Sequence, residues 1–322
     1  MSKKIEENDN EEITNLLDDL FKDDENYIRV DKIDDSVNSW INSGNYALNF
    51  IISNSFFKGY PSGRVTILEG LSGTGKSLFL ATAIRDSEVK LGTIFETEGG
   101  GLSTSLLNYA KVPLNKVRQM KVRSFDCFKT LKNGNIEEVK DNEYNPKSPD
   151  QEGGLIWKVQ KFLDIIKLSK ENNKIILGID SLANLTSSKE ISGSLDMGKR
   201  NQLANKFFRV FDNVLEKLNV ACIMTNKLYT AIGASKYEEQ WQSSGGVAPE
   251  YNSSTILRLE RVSNSNTLTE AKIKEERENL KSSRGASCVS VKVKNTKSRF
   301  GCYGRSVIIQ VDMIKGLQLY SG

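Results

Sequence analysis

The sequence predicts an α/β fold in which a mostly parallel sheet carries helices on both faces. Three observations lead there. From Arg64 to Lys227, apolar runs of strand character alternate with amphipathic helical runs, the order that builds crossover units and a parallel sheet. One strand-to-helix junction, "RVTILEGLSGTGKSLFLATAI" (Arg64 to Ile84), contains Gly70-x-x-x-x-Gly75-Lys76-Ser77, the spacing of a phosphate-binding loop. From about Ser254 the pattern turns strand-rich, in "STILRLERV", "SCVSVKVKNT" and "YGRSVIIQVD". Those runs are expected to extend the sheet with antiparallel strands.

The elements follow in order. Residues 1–36 form an acidic arm with 13 acidic and 5 basic side chains. Within it "ITNLLDDLF" (Ile13 to Phe21) has helical apolar spacing and predicts a short docking helix that engages a neighbouring subunit. "YALNFIIS" reads as a helix after the turn "NSG", and "KGYPSG" leads into the phosphate-loop strand. "LGTIFETE" (Leu91 to Glu98) reads as a strand, "GLSTSLLNYAK" as a helix and "KVRQMKVRS" as a short strand. "NGNIEEVKDNEYNPKSPDQEGG" (Asn133 to Gly154) is polar and turn-rich, so a loop is expected. "LIWKVQKFLDIIKLSKE" is an amphipathic helix, and "NKIILGIDSL" a buried strand ending in a carboxylate. "GKRNQLANKFFRVFDNVLEKL" is a helix, and "VACIMTNK" a further strand.

The 322 residues, 38% of them apolar, suffice for one large domain with a small appendage, residues 37–322 forming the core. No apolar run is long enough to span a bilayer, and the acidic N-terminus lacks the apolar centre of a signal peptide. A soluble, intracellular protein without membrane partners is expected. Cys127, Cys222, Cys288 and Cys302 lie far apart, which argues against a disulfide framework or a metal cluster. There is no histidine. Water activation therefore falls to carboxylate, lysine or a metal ion. The net charge of +4 hides an arm of −8, so the body is basic, and a polyanion is its expected partner.

The motif calls for specific chemistry. Glycines let backbone N–H groups converge on phosphate oxygens, and the following helix aims its positive end at them. Gly70, Ser72, Gly73, Thr74, Gly75, Lys76, Ser77 and Leu78 are the expected ATP-binding residues, with Lys76 reaching the β- and γ-phosphates and Ser77 holding Mg²⁺. Asp180, at the end of "IILGID", is the second Mg²⁺ candidate. The base for water is Glu96 or Glu98, which share a face of one strand, so spacing does not choose between them. Asn226 or Lys227, at the end of "CIMTNK", is placed to sense the γ-phosphate if the strands are adjacent.

"INSGNYALNFIIS…GYPSGRVTILEGLSGTGKS" resembles the opening of the RecA-family core. "IDSLANLTSSKEI", "NKLYTAIG…SSGGVAPEYNSSTILRLER", "NTKSRFG" and "GLQLYSG" resemble successive segments of UvsX-type phage recombinases. The likeness spans about Trp40 to Gly322. It implies a RecA-like ATPase core, helical filaments on single-stranded DNA, pairing with double-stranded DNA, and DNA-dependent ATP hydrolysis. It further implies single-strand-binding and loader proteins as partners, and a cytoplasmic setting in a bacterium or phage-infected host. Glu98 matches the family's catalytic glutamate and breaks the tie with Glu96. The first DNA-contacting loop would be about Thr186 to Lys199, and the second about Leu228 to Asn252, with Gly245 and Gly246 as hinges. Lys297 and Arg299, with Lys294, match basic residues that reach the ATP of a neighbouring subunit. Two features depart from the family. Lys227 stands where relatives place Gln or His. The chain stops at "LYSG", so the usual C-terminal domain is expected to be absent.

The loop compositions suit DNA, with cations for phosphates and apolar or aromatic groups for bases. The first supplies Lys189, Met197, Lys199 and Arg200; the second, with Lys227 before it, supplies Tyr229, Lys236, Tyr237 and Trp241. Two other readings remain open on sequence: a ring-forming helicase on the same core, and a recombination mediator or regulatory ATPase that binds protein.

Overall fold

The apolar runs become strands of one twisted sheet, with helices between them. A computed structural model describes residues 15–20, 22, 37–97, 102–169, 174–194, 196–230, 241–244, 248–262, 288–312 and 316–319. The chain divides into two units, Met1–Val37 and Asn38–Gly322. In the first, residues 15–20 are helical (α1), with Leu16, Leu17 and Leu20 exposed.

The second unit opens with β1 (Trp40–Ile41), α2 (Tyr46–Ser53), β2 (Tyr60–Pro61), β3 (Val65–Gly70), α3 (Lys76–Ile84), β4 (Val89–Glu96), α4 (Thr104–Tyr109) and β5 (Val117–Lys121). A small insertion follows, made of β6 (Cys127–Thr130), β7 (Ile136–Val139) and β8 (Gln151–Glu152). Then come α5 (Leu155–Leu168), β9 (Lys174–Asp180), α6 (Ser188–Ile191), α7 (Met197–Lys217), β10 (Val220–Thr230), β11 (Trp241–Ser243) and α8 (Ala248–Asn252). The described chain finishes in β12 (Thr255–Arg261), β13 (Cys288–Ser298), β14 (Ser306–Asp312) and β15 (Gly316–Leu319).

The main sheet runs β15-β14-β13-β12-β3-β10-β9-β4-β5, with β11 paired to β10. The six strands from β12 to β5 are parallel, and β13, β14 and β15 add antiparallel strands at one edge. The strand period of two sends neighbouring residues to opposite faces. On β9, Ile176 joins a core with Leu48, Phe79, Ile84 and Ile223, whereas Leu177 joins one with Phe95, Val159, Phe207 and Phe211. Helix α7 buries Leu203, Phe207, Phe211 and Leu215 at four-residue spacing on one stripe, and Asp196 caps its start by accepting from the Lys199 N–H.

Residues 133–154 are not the simple loop expected. Strands β7 and β8 flank β6 in a separate three-stranded sheet. Strand β7, "IEEV", shows no apolar alternation because its order comes from pairing with β6 and a Lys129–Glu137 ion pair of 2.9 Å. Gly134, with φ of 83°, makes the turn between them. Asp126, just before β6, ties the insertion to α6, accepting from the Ser188 N–H and Oγ–H at 2.8 and 2.6 Å. Among the described residues no helix is long and apolar enough to cross a membrane.

Candidate functional site

Strand β3 is buried along its length and ends at Gly70, where an added Cβ would lie 2.5 Å from the Leu259 carbonyl oxygen. Close packing against β12 thus demands glycine there. The chain then turns through Leu71, Ser72 and Gly73, which are exposed, into α3. Gly75 caps the helix with φ of 87° and brings no side chain to the first N–H groups. A helix start leaves its first N–H groups without partners in the helix, at its positive end, which is the arrangement that receives phosphate. Thr74 closes the loop from within, donating to the Leu71 carbonyl at 3.0 Å. Lys76 Nζ donates to the carbonyls of Gly70 and Leu71, each at 2.9 Å, so its ammonium lies over the loop itself. Ser77 is half-buried and Leu78 buried at the start of α3.

Strand β10 lies between β3 and β9, which places the Asn226–Lys227 segment between the phosphate loop and Asp180. Asn226 pairs in register with Glu69, and Lys227 with Gly70. Asp180 is 6% exposed at the end of β9 and accepts the Thr225 hydroxyl through Oδ1. Its Oδ2 has no hydrogen-bond partner among the described residues. A buried carboxylate oxygen left open beside a phosphate loop suits a hard divalent cation, which takes one or two carboxylates together with phosphates and water. Asp180 therefore fits Mg²⁺, and the loop motif would add the Ser77 hydroxyl at the start of α3. Glu96 pairs in register with Asp180 across β4 and β9, is buried, and accepts from Gln119 Nε2 on β5. Glu98 lies outside the described residues.

Lys227 Nζ donates to Asn184 Oδ1 at 2.9 Å, in the turn that follows Asp180. Asn226 is fully buried, and its Nδ2 donates to the Ser244 carbonyl at 2.9 Å. The strand end beside the phosphate loop is thereby joined to the segments leading into both loops that the sequence singled out.

The first of those loops is more ordered than a loop. Helix α6 starts at a capping box in which Ser187 and Glu190 satisfy each other's backbone N–H groups, and α7 begins at Met197. Lys189 pairs with Asp196 at 3.6 Å, and Lys199 with Glu138 of the insertion at 3.2 Å. Arg200 donates to the Ala183 carbonyl and, at 3.3 Å, to Ser244 Oγ. Arg200 thus braces the base of both loops. The segment expected to hold the second loop opens as strand. Strand β10 continues to Thr230 and pairs with β11, Leu228 opposite Ser243 and Thr230 opposite Trp241, as the two legs of a hairpin. Pairing with β11 satisfies the backbone beyond Lys227, a contact that no local sequence pattern announces. Tyr229 is 52% exposed on this hairpin. Lys236, Tyr237, Gly245 and Gly246 lie outside the described residues, as do the side chains of Met197 and Trp241.

Lys297 and Arg299 sit at the opposite end of the sheet from their own phosphate loop. Ile256 pairs with Lys297, whereas Leu259, toward the other end of β12, pairs with Gly70. Lys297 donates to the carbonyls of Glu250 and Tyr251, and Arg299 to that of Tyr251. Burial, then the adjacent Arg299, holds the Lys297 ammonium below its ordinary range. Lys294 is exposed on the same strand. Lys297 and Arg299 thus lie away from the phosphate loop of their own chain, whereas Lys294 pairs with Arg258, level with Glu69.

Two basic residues near the loop escaped sequence reasoning. Arg261 donates through Nε and Nη2 to the Gly73 carbonyl at 3.1 and 2.7 Å, bracing the phosphate loop from the end of β12. Arg258 pairs with Glu69 at 2.8 Å. The signal for the second was available: Glu69 is the single charge in the apolar strand "VTILEG". Compared with known protein families, the sequence matches no family model.

Proposed function

We propose that this chain is an ATP-dependent DNA recombinase with a RecA-like core, which assembles as helical filaments on single-stranded DNA and pairs it with homologous duplex. The observation that carries this reading is the strand order β12-β3-β10-β9-β4. It sets the phosphate loop, the Asn226–Lys227 segment and Asp180 side by side, with a hairpin continuing directly from the middle strand.

In this reading Lys76 and the loop N–H groups hold the phosphates of ATP, and Ser77 and Asp180 hold Mg²⁺. A bound Mg²⁺ supplies charge neutralisation at the phosphate oxygens. Glu98 accepts the proton of the attacking water as the γ-phosphoryl passes to it and ADP leaves. The first loop and the hairpin offer cations and aromatic groups to DNA without reading its sequence, which suits a protein that tests homology by base pairing. Lys297, Arg299 and Lys294 approach the ATP of the next subunit, and such head-to-tail contacts generate an open helix when the rotation does not close.

Binding of a labelled single-stranded oligonucleotide tests this. With Mg²⁺ and ATP the protein should bind tightly, and affinity should fall steeply with salt. Glu98→Gln should hydrolyse ATP at least roughly 100-fold more slowly, in line with loss of a general base, and hold the DNA longer after ATP is added. DNA binding that is absent or indifferent to nucleotide contradicts the proposal. A normal hydrolysis rate in Glu98→Gln contradicts the assignment of the base.

A further inference from the structure

Glu69 is a carboxylate in the least expected place. It is 2% exposed, one residue before Gly70, in a strand whose other described residues are apolar, threonine or glycine. Taking an ion pair out of water costs several kcal/mol per ion, and well-packed apolar residues of similar volume often stabilise a fold as well or better. Core stability alone therefore does not account for it.

Its partners point to another role. Asn226, Glu69 and Arg258 stand in register across the parallel strands β10, β3 and β12. Glu69 Oε1 accepts from Arg258 Nε at 2.8 Å, and its Oε2 accepts the Ser243 hydroxyl. Ser243 closes the returning leg of the hairpin, opposite Leu228. The next residue, Ser244, is held at three further points. Its N–H donates to the Lys227 carbonyl at 3.0 Å, its carbonyl accepts from Asn226, and its hydroxyl accepts from Arg200. The returning leg is thus stitched to the strand that ends in the phosphate loop and to the strand beside it.

We propose that Glu69, oriented by Arg258, is a positioning residue that couples the phosphate loop to the hairpin through Ser243. Nucleotide at Gly70 to Ser77 fixes the end of β3, and the Glu69–Ser243 hydrogen bond carries that placement to the leg that enters residues 245–247. This rests on the recombinase reading, in which the hairpin meets DNA. Coupling of this kind is reciprocal: DNA on the hairpin must tighten nucleotide binding by the same factor.

Ser243→Ala is the test, because it removes the link and leaves the buried Glu69–Arg258 pair intact. DNA affinity is measured with and without a non-hydrolysable ATP analogue, and analogue affinity with and without DNA. The readout is the ratio of affinities with and without the other ligand, so a change in the basal affinity of Ser243→Ala for DNA or nucleotide cancels. The mutual enhancement should fall roughly tenfold, about 1.4 kcal/mol of coupling. Ser243→Thr, which keeps the hydroxyl, should restore it. Full enhancement in Ser243→Ala overturns the relay while leaving the recombinase reading intact. An equal loss with and without nucleotide also overturns it, because the contact is then structural only. Wild-type protein whose DNA affinity ignores nucleotide overturns both.

Discussion

Lys76→Ala is expected to abolish nucleotide-dependent activity while leaving the fold intact. The Lys76 ammonium donates to the loop carbonyls of Gly70 and Leu71 at 2.9 Å, and the side chain is half-exposed at the start of α3. Its loss removes no core packing. A charge-assisted hydrogen bond to phosphate is another matter. Removing a single preorganised donor from a developing anion costs roughly 100- to 1,000-fold in turnover. The variant should melt close to the wild type and show nucleotide affinity and ATP turnover down by at least that factor. Calorimetric titration with ATP analogue and a thermal melt check both halves. Turnover within a few-fold of wild type would remove Lys76 from the site.

Asp180→Asn is expected to separate metal binding from stability. Oδ1 of Asp180 accepts from Thr225, and an asparagine carbonyl keeps that bond. The open Oδ2 becomes an amide nitrogen, which cannot ligate Mg²⁺. Burying an amide also avoids the desolvation cost of a carboxylate. The variant should therefore melt at or above the wild-type temperature, while its Mg²⁺ requirement rises roughly 10- to 100-fold, the range seen when a metal site loses a supporting group. A titration of ATPase rate against Mg²⁺ concentration, beside a melt in the absence of nucleotide, distinguishes the two effects. An unchanged Mg²⁺ requirement with a lowered melting temperature would make Asp180 a structural carboxylate.

The parts of the molecule legible in sequence were those whose own apolar pattern decides their structure. Strands β3, β4, β9 and β10 each contain a run of at least five buried residues, and α7 shows its buried stripe through Leu203, Phe207, Phe211 and Leu215. The Gly70 to Ser77 motif is local, so its strand–loop–helix setting followed directly. Order supplied by a partner was not legible. Ile136–Val139 is a strand because β6 lies beside it, and β10 runs on to Thr230 because β11 returns along it. Arg261 reaches Gly73 from 188 residues away, and Glu69 meets Ser243 across 174. Contacts at such separations arise from topology, which single-sequence periodicity does not contain. The lone charge in β3 was nevertheless a local anomaly, and it marks the residue that pairs with Arg258 and Ser243.

ATP turnover with and without single-stranded DNA, with negative-stain images of the same samples, tests the central claim most directly. The recombinase reading predicts strong stimulation by DNA together with open helical filaments. Stimulation with closed rings would indicate a helicase on the same core, and turnover indifferent to DNA would contradict the assignment to DNA altogether.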